Sequence, residues 1–238
     1  MKAIIFAAGL GTRLRPLTDR IPKCLADIGG DTALGAAVKK LAAAGADEIV
    51  INTHRFSGMI EDYLEKNGFF GLKIHISREE EFPLETGGGL VKAGKYLRGE
   101  KAFFAYNADV YSSVDLKEMY CAHAEAGALA TLAVRKRESS RRLVFSREGL
   151  LKGREGLVKT ESGDGLFGFS GAHVISPDIF GKIEERGVFS ITEVYLRLAA
   201  AGEKIKAFQD RSEFWLDIGN IERLNAVRKK RGYKEIEI

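Results

Sequence analysis

The sequence of 238 residues contains only two cysteines, Cys24 and Cys121. Two isolated thiols exclude a disulfide framework of the kind that stabilises small secreted domains. Neither the cysteines nor the four histidines show the close spacing of metal ligands, so a structural zinc site is excluded as well. So few thiols are typical of a reducing compartment, and we predict a cytoplasmic protein.

Long hydrophobic runs are also missing. No stretch approaches the roughly 20 apolar residues that a transmembrane helix needs. The apolar run at residues 3–6 is short and leads directly into a polar, glycine-rich loop, which is not the layout of a signal peptide. The sequence therefore predicts no membrane association.

Charge of one sign is not concentrated in any segment. The formal net charge is +4 and the pI is near 8.9, but acidic residues are scattered along the chain and no long basic stripe exists. The densest basic run, residues 229–231, is expected to end a helix favourably rather than to bind phosphate. We therefore predict no nucleic-acid partner.

Apolar residues, by contrast, are abundant at 45% of the chain, which is enough for a sizeable core. No internal repeat, low-complexity tract or linker divides the sequence, so we predict one domain over residues 1–238. Basic clusters and frequent glycines interrupt the periodicity between residues 135 and 165. We interpret this segment as a small inserted ribbon with hairpin strands near residues 143–145 and 150–151.

Strand-like and helix-like segments alternate along the chain. Alternation implies right-handed crossovers, so we predict an α/β fold with a three-layer, Rossmann-like arrangement in which helices flank a mostly parallel sheet. The predicted strands lie at residues 2–7, 48–52, 73–77, 102–107, 128–135 and 215–219, and the predicted helices at residues 34–44, 57–66, 88–96, 115–126, 177–184 and 191–201 and from residue 221.

A glycine-rich segment follows the first predicted strand. Residues 7–18 read Ala-Ala-Gly-Leu-Gly-Thr-Arg-Leu-Arg-Pro-Leu-Thr. Gly9 and Gly11 let backbone N–H groups approach phosphate closely, while Arg13 and Lys23 supply fixed positive charge. The Gly-Lys-Ser/Thr pattern of a phosphate-binding loop is absent, and a dinucleotide fingerprint fits poorly because its third small residue falls at Leu14. The combination indicates a site for a nucleoside triphosphate.

Two aspartates stand in settings that suit ligand binding. Asp109 follows a predicted buried strand, at the carboxyl edge where open α/β sheets bind ligands. Asp217 interrupts an apolar, strand-like stretch and needs a partner such as a cation. By its local sequence, each aspartate also fits a turn or a helix cap.

Motifs along almost the whole chain resemble those of the sugar-phosphate nucleotidyltransferases. Besides residues 7–23, the likeness includes residues 84–89, 107–110, 169–171 and 215–219, in family order. It is strongest to short bacterial members that act on the 1-phosphates of N-acetylmuramate, mannose or heptose. The resemblance implies a nucleotide-diphospho-sugar transferase fold, and a reaction between a nucleoside triphosphate and a sugar 1-phosphate that releases pyrophosphate.

The resemblance also implies residue roles. Asp109 and Asp217 would hold Mg²⁺, Arg13 would stabilise the departing phosphates, and Lys23 would hold the α-phosphate, which makes Arg13, Lys23 and Asp109 the catalytic residues. Ala108 departs from the family, which more often has glycine there, and Cys24 replaces a proline. The expected nucleotide-binding residues are Ala8, Gly9, Gly11, Thr12, Arg13, Lys23, Glu85, Thr86, Gly87, Gly88 and Asn107.

Base selection is expected to involve Glu85. An ionised carboxylate only accepts hydrogen bonds, so it can pair with the ring N–H of uracil or guanine but not with cytosine or adenine. The motif at residues 84–88 resembles the muramate-type uridylyltransferases, whereas Asn52-Thr53-His54 resembles the mannose and heptose guanylyltransferases. We predict UTP, with GTP as the alternative. Glu85 also fits a simple carboxylate at a helix N-terminus.

The sugar-binding residues implied by the resemblance are Ser170, Gly171, Glu193 and Trp215. Structural interpretations compete here, because Glu193 can complete a capping box with a serine at the start of its helix, and Trp215 can belong to the core. The Glu-Lys-Pro motif that larger relatives place near the sugar phosphate is missing, and Lys159 is a positional substitute. The inserted ribbon would cover this sugar side, and the favoured acceptor is an N-acetylhexosamine or muramate 1-phosphate.

Two other classes of protein share parts of this pattern. A non-catalytic nucleotide-sensing domain would have the fold but lack the metal ligands or the phosphate arginine, all of which this chain has. A nicotinamide dehydrogenase would want an acidic residue after the second strand, where Asn52 stands. The predicted partners are thus a nucleoside triphosphate, a sugar 1-phosphate and Mg²⁺, and the oligomeric state is left open.

Overall fold

A computed structural model describes residues 1–236 of the chain. Its strands are β1 (Lys2–Phe6), β2 (Glu48–Thr53), β3 (Lys73–Arg78), β4 (Phe103–Asn107), β5 (Val110–Ser112), β6 (Ala130–Arg135), β7 (Leu143–Phe145), β8 (Leu151–Arg154), β9 (Gly165–Ile175), β10 (Ile205–Gln209) and β11 (Trp215–Asp217). Its α-helices are α1 (Ala33–Ala43), α2 (Ser57–Lys66), α3 (Glu85–Leu97), α4 (Leu116–Ala126), α5 (Ile191–Ala200) and α6 (Ile221–Lys230).

The main sheet runs in the order β10-β6-β9-β4-β1-β2-β3. Most neighbours are parallel, and only β9 runs antiparallel to its neighbours β4 and β6. Helices α1, α2 and α4 contribute buried side chains to one core cluster, and α3 and α5 contribute to a second. The predicted three-layer α/β fold with a mostly parallel sheet is therefore confirmed.

Capping residues define where several helices begin. Thr32 Oγ1 accepts a hydrogen bond from the backbone N–H of Gly35 at 2.9 Å, and Asp115 caps α4 in the same way. Ser190 caps α5, because its side chain accepts a hydrogen bond from the N–H of Thr192. These caps fix the starts of α1, α4 and α5.

A second, two-stranded sheet lies beside the main one. It joins β5 and β11 in antiparallel register, with Asp217 paired to Val110. A third core cluster, which includes Leu14, Ile218 and Leu224, packs under this sheet and ties the segment after β1 to α6. Because of this pairing, the segment that begins β5 and the segment that ends β11 lie side by side, although they are far apart in sequence.

The hairpin predicted within residues 135–165 is confirmed as β7 and β8, and β7 also pairs with β9. The helix predicted at residues 177–184 is wrong: Pro177–Gly181 is a short 3₁₀-helix instead. Its poor helix-forming glycine ends it after one turn. Strand β10 was not predicted, because only Ile205 in its five residues is fully buried. None of the described helices is both long and apolar enough to cross a bilayer.

Candidate active site

The carboxyl ends of β1 and β4 open into a cleft of about 400 Å³, a size typical of small-molecule sites. Pro83 and Ser190, from the chain before α3 and α5, also line it. The cleft brings together most of the residues predicted to bind nucleotide. Of that set, Ala8, Gly9, Gly11, Thr12, Arg13, Lys23, Glu85, Thr86 and Asn107 line it, and so does the predicted metal ligand Asp109.

The glycine loop, residues 7–13, borders the cleft. Gly11 adopts a left-handed conformation with φ of 64°, and a Cβ there would lie 2.9 Å from Thr18 Cγ2 and 3.0 Å from Lys23 Cβ. The Thr18 hydroxyl donates to the Gly11 carbonyl at 2.8 Å. Glycine is therefore required at this position both for backbone conformation and for close approach of the segment that carries Lys23.

Two basic side chains of the predicted site line the cleft, and they differ in burial and in partners. The Lys23 ammonium is largely buried and forms an ion pair with Asp109. Arg13 is exposed, and its guanidinium lies against Gly219, another residue of the cleft wall. Arg15 instead forms a surface ion pair with Asp19 at 3.1 Å. Arg13 and Lys23 thus supply positive charge at the cleft, and Arg15 belongs to the protein surface.

Asp109 and Asp217 are brought together by the small sheet. The backbone N–H of Ile218 donates to the Asp109 carbonyl at 2.9 Å, directly after the Asp217–Val110 pair. Asp217 accepts from the Gly219 N–H at 2.9 Å and from Arg223. The exposed fractions of the two aspartate side chains are 30% and 21%. Both carboxylates are thus partly accessible. Asp109 lines the cleft, and Asp217 lies two residues before Gly219, which also lines it.

This donor set fits a magnesium ion. Mg²⁺ prefers hard oxygen ligands and usually takes one or two carboxylates together with water and phosphate oxygens. Within residues 1–236, no group of three or more His, Cys, Asp and Glu gathers around a possible metal position, so a site built wholly from protein ligands is not found there. A two-carboxylate site completed by substrate is the arrangement that these residues allow.

The helix-entry loop, residues 83–86, forms the opposite wall. Glu85 is exposed and has a φ of 58°, a left-handed conformation that costs energy for a residue with a side chain. The Thr86 hydroxyl accepts from the Ile191 N–H at 3.0 Å and so joins the starts of α3 and α5. Backbone strain of this kind is concentrated at functional sites, which is consistent with a ligand contact at Glu85.

Gly87 and Gly88 lie in the first turn of α3 but do not line the cleft. The Gly87 N–H donates to the Phe189 carbonyl at 2.8 Å, and a Cβ on Gly88 would lie 2.4 Å from the carbonyl oxygen of Gly187. Their small size allows the loop before α5 to pack directly on α3. Their effect on a nucleotide would therefore be indirect, through the position of Glu85.

A buried pair that the sequence did not reveal joins Asn52, which lines the cleft, to Glu79, which does not. Asn52 Oδ1 accepts from the Ala7 N–H at 2.8 Å, and Asn52 Nδ2 donates to Glu79 Oε1 at 2.6 Å. Glu79 Oε2 accepts from the Leu84 N–H at 2.8 Å. Asn52 and Glu79 are 2% and 1% exposed. The sequence offered one signal for this pair, the polar residue Asn52 near the end of β2. Glu79 could not be singled out, because it belongs to a run of acidic residues.

The predicted sugar residues Ser170 and Gly171 adjoin the cleft through Asn107. Gly171 has φ of 80°, and a Cβ there would lie 3.0 Å from Asn107 Nδ2. Trp215 Nε1 donates to the Ser170 carbonyl at 2.8 Å. Among the described residues, Asn107 Oδ1 and Ser170 Oγ are buried without a hydrogen-bond partner. Buried polar atoms in that state mark places where a ligand can supply the missing partner.

Glu193 does not form the capping box that its position allowed. Its carboxylate is 55% exposed and accepts from Arg154 at 2.7 Å, because that guanidinium on β8 lies within reach. Lys159, the positional substitute for the missing lysine motif, is exposed and does not line the cleft. Cys24 is a buried apolar residue, and burial raises the pKa of its thiol to about 12.

Comparison with known proteins agrees with this geometry. The nucleotidyl transferase family model matches residues 2–143. An N-acetylmuramate α-1-phosphate uridylyltransferase of Neisseria meningitidis is 32% identical, and the alignment covers 98% of this chain and 99% of the relative. A mannose-1-phosphate guanylyltransferase catalytic subunit β of Xenopus tropicalis is 30% identical, and the alignment covers 92% of this chain but 61% of that protein.

Solved structures share the fold. The HddC protein of Yersinia pseudotuberculosis, crystallised with GMP-PN, has a TM-score of 0.78 at 24% identity and covers 97% of this chain and 99% of its own. A UDP-glucose pyrophosphorylase from Acinetobacter baumannii has a TM-score of 0.80 at 20% identity, with 97% and 93% covered. The chain belongs to the nucleotidyl transferase family and is an enzyme of that family.

Proposed function

We propose that the protein joins UTP to a sugar 1-phosphate of the N-acetylhexosamine or muramate type, giving a UDP-sugar and pyrophosphate. An oxygen of the sugar phosphate forms a bond to the α-phosphorus, and the bond from that phosphorus to the β-phosphate bridging oxygen breaks. The observation that carries this proposal is that Arg13, Lys23 and Asp109 line the same cleft, and that Asp217 lies on the strand paired beside Asp109.

Charge neutralisation is the main task of such a site, since the attacking oxygen is already anionic at neutral pH. Asp109 and Asp217 would hold Mg²⁺, which supplies positive charge against the phosphate oxygens when bound. Lys23 lies beside Asp109 and would hold the α-phosphate. Arg13, exposed at the cleft wall, would stabilise the charge on the departing pyrophosphate.

The choice of UTP rests on Glu85 and on the relatives. Glu85 lines the cleft and only accepts hydrogen bonds when it is ionised, which suits the ring N–H of uracil. Uridylyltransferases of Neisseria meningitidis and Caulobacter vibrioides match over 99% and 91% of their own lengths. GTP with a mannose 1-phosphate is the second candidate, because guanylyltransferases match with similar identity and guanine also presents N–H groups.

Substrate choice is tested by measuring kcat/KM for UTP and GTP against N-acetylmuramate, N-acetylglucosamine and mannose 1-phosphates, scored by pyrophosphate release. We expect UTP with an N-acetylated acceptor to exceed GTP with mannose 1-phosphate by at least about tenfold, because a pocket fitted to a pyrimidine excludes the larger base. A preference for GTP and mannose 1-phosphate would replace the first candidate by the second.

Arg137 supplies a cation on the acceptor side, where the family lysine motif is missing. Its guanidinium stacks on Trp215, 4.3 Å from the ring centroid, and donates to the Phe169 carbonyl at 2.8 Å. Arg137 Nε is buried and has no hydrogen-bond partner within residues 1–236. Burial lowers the pKa of the guanidinium, and the nearby Asp217 carboxylate opposes that shift. We assign the acceptor phosphate to this side chain.

Arg137→Ala is therefore expected to raise KM for the sugar 1-phosphate by about 10- to 100-fold, the loss of a charge-assisted hydrogen bond. KM for the nucleotide should change less than about threefold. Steady-state kinetics with each substrate varied in turn measure this split. Arg141→Ala is the control, since Arg141 is exposed in the same segment. An equal rise of both KM values would contradict the assignment.

A further inference from the structure

We propose that Glu79 is a positioning residue that locks the glycine loop to the helix-entry loop, so that nucleotide affinity depends on one buried carboxylate outside the cleft. The proposal rests on the proposed nucleotide-binding function of the cleft. Glu79 is not among the residues that line the cleft, so its influence must pass through the hydrogen bonds that it accepts.

The hydrogen bonds form a single chain between two backbone donors. Ala7 N–H, at the start of the glycine loop, is one end, and Leu84 N–H, in the helix-entry loop, is the other. The side chains of Asn52 and Glu79 connect these two donors. Asn52 and Glu79 are 27 residues apart in sequence. The Ala7 N–H also reaches the Asn52 carbonyl at 3.2 Å, which fixes Asn52 against β1.

Only a carboxylate can complete this chain. Because both ends donate, the side chain atoms facing Ala7 and Leu84 must both accept, and the amide of Asn52 must then donate to its neighbour. Glu79 accepts at both oxygens and satisfies every group. A glutamine at position 79 would place its own NH₂ against either the Asn52 amide or the Leu84 N–H, and a flip of Asn52 would only move the clash to Ala7.

The residues packed around these hydrogen bonds leave room for them. A Cβ on Gly89 would lie 2.5 Å from Asn52 Nδ2 and 2.9 Å from Glu79 Oε1, so glycine leaves room for this hydrogen bond. Burial raises the pKa of the Glu79 carboxyl, while the hydrogen bonds from Leu84 and Asn52 hold it down. Keeping a buried carboxylate has a desolvation cost, which is offset only if its hydrogen bonds are complete.

The first test is Glu79→Gln, with nucleotide binding measured directly by calorimetry for UTP and GTP. We expect Kd for the nucleotide to rise about tenfold, as for a buried donor left without an acceptor. KM for the sugar 1-phosphate should stay within about twofold. An unchanged nucleotide Kd in the variant would overturn the proposal. If the wild-type protein itself binds neither nucleotide, the proposed function fails instead.

A reversed pair separates positioning from simple structural damage. In Asn52→Asp combined with Glu79→Gln, the aspartate accepts from Ala7 and from the glutamine NH₂, and the glutamine oxygen accepts from Leu84. Donors and acceptors are complementary again, with the same total charge. We expect the double variant to bind nucleotide at least about threefold more tightly than either single variant. A double variant that is no better than the weaker single variant would count against the proposal.

Gly89→Ala should disrupt the same hydrogen bond sterically, because the alanine methyl group would clash with Asn52 Nδ2 and Glu79 Oε1. We expect the same selective rise in nucleotide Kd. Gly58→Ala is the matched control: this glycine also lies in a helix, and a Cβ there meets nothing within 4 Å. Equal effects of the two alanine substitutions on nucleotide binding would contradict the role of the Asn52–Glu79 pair.

Discussion

Replacing Asp109 by asparagine is expected to lower kcat by at least about 100-fold while the protein stays folded. The amide has nearly the same size but lacks the charge that a magnesium ligand needs. Lys23, whose side chain is 14% exposed, loses its counter-charge but can still donate to the amide oxygen. We therefore expect the free energy of unfolding to fall by only about 1 kcal/mol, as measured by denaturant titration.

The control for this substitution is Asp115→Asn. Asp115 caps α4 by accepting from Lys117 and Glu118, and asparagine is an equally good cap, so both stability and turnover should be kept. Asp217→Asn should reduce turnover as Asp109→Asn does, because both carboxylates are proposed magnesium ligands and the small sheet places their chain segments side by side. Turnover with an unaltered magnesium requirement in either active-site variant would show that the residue is not a metal ligand.

Much of the fold could be predicted because its signals are local. Short apolar segments with polar ends marked β1, β2 and β4, and their alternation with helices implied the parallel pairing that these three strands show. Errors arose where local signals are weak. The 3₁₀-helix Pro177–Gly181 is a single turn, and β10 is an edge strand with one fully buried side chain. Residues 205–209 form a strand because they pair with β6, and their own sequence does not predict a strand.

For the candidate site too, the features with local sequence signals were predicted, and the features that depend on distant contacts were not. Glycines and basic residues close together in sequence predicted the glycine loop, and their gathering in the cleft follows from the strand ends. Contacts between distant segments were not predictable. The sequence predicted a local capping partner for Glu193, the serine at the start of α5. Its carboxylate pairs instead with Arg154, which lies 39 residues away. The hydrogen bond between Asn52 and Glu79 is likewise formed only when β2 and β3 lie side by side.

Arg13→Ala is expected to lower kcat/KM by about 100- to 1000-fold, the scale on which removing one preorganised donor to developing charge acts. Stability should change by less than about 0.5 kcal/mol, because Arg13 is exposed and its proposed partner is the substrate. Single-turnover kinetics at saturating nucleotide separate the chemical step from binding.

Arg15→Ala provides the matched control two residues further along. Its ion pair with Asp19 joins two side chains that are 59% and 49% exposed, so its loss should cost at most about 1 kcal/mol and leave turnover unchanged. The pair of variants thus distinguishes charge at the cleft from charge on the surface. If Arg13→Ala unfolds easily but its folded fraction turns over normally, Arg13 is a structural residue. The charge on the departing pyrophosphate would then need a different cation, and Lys23 would be the first to examine because it already reaches the same cleft.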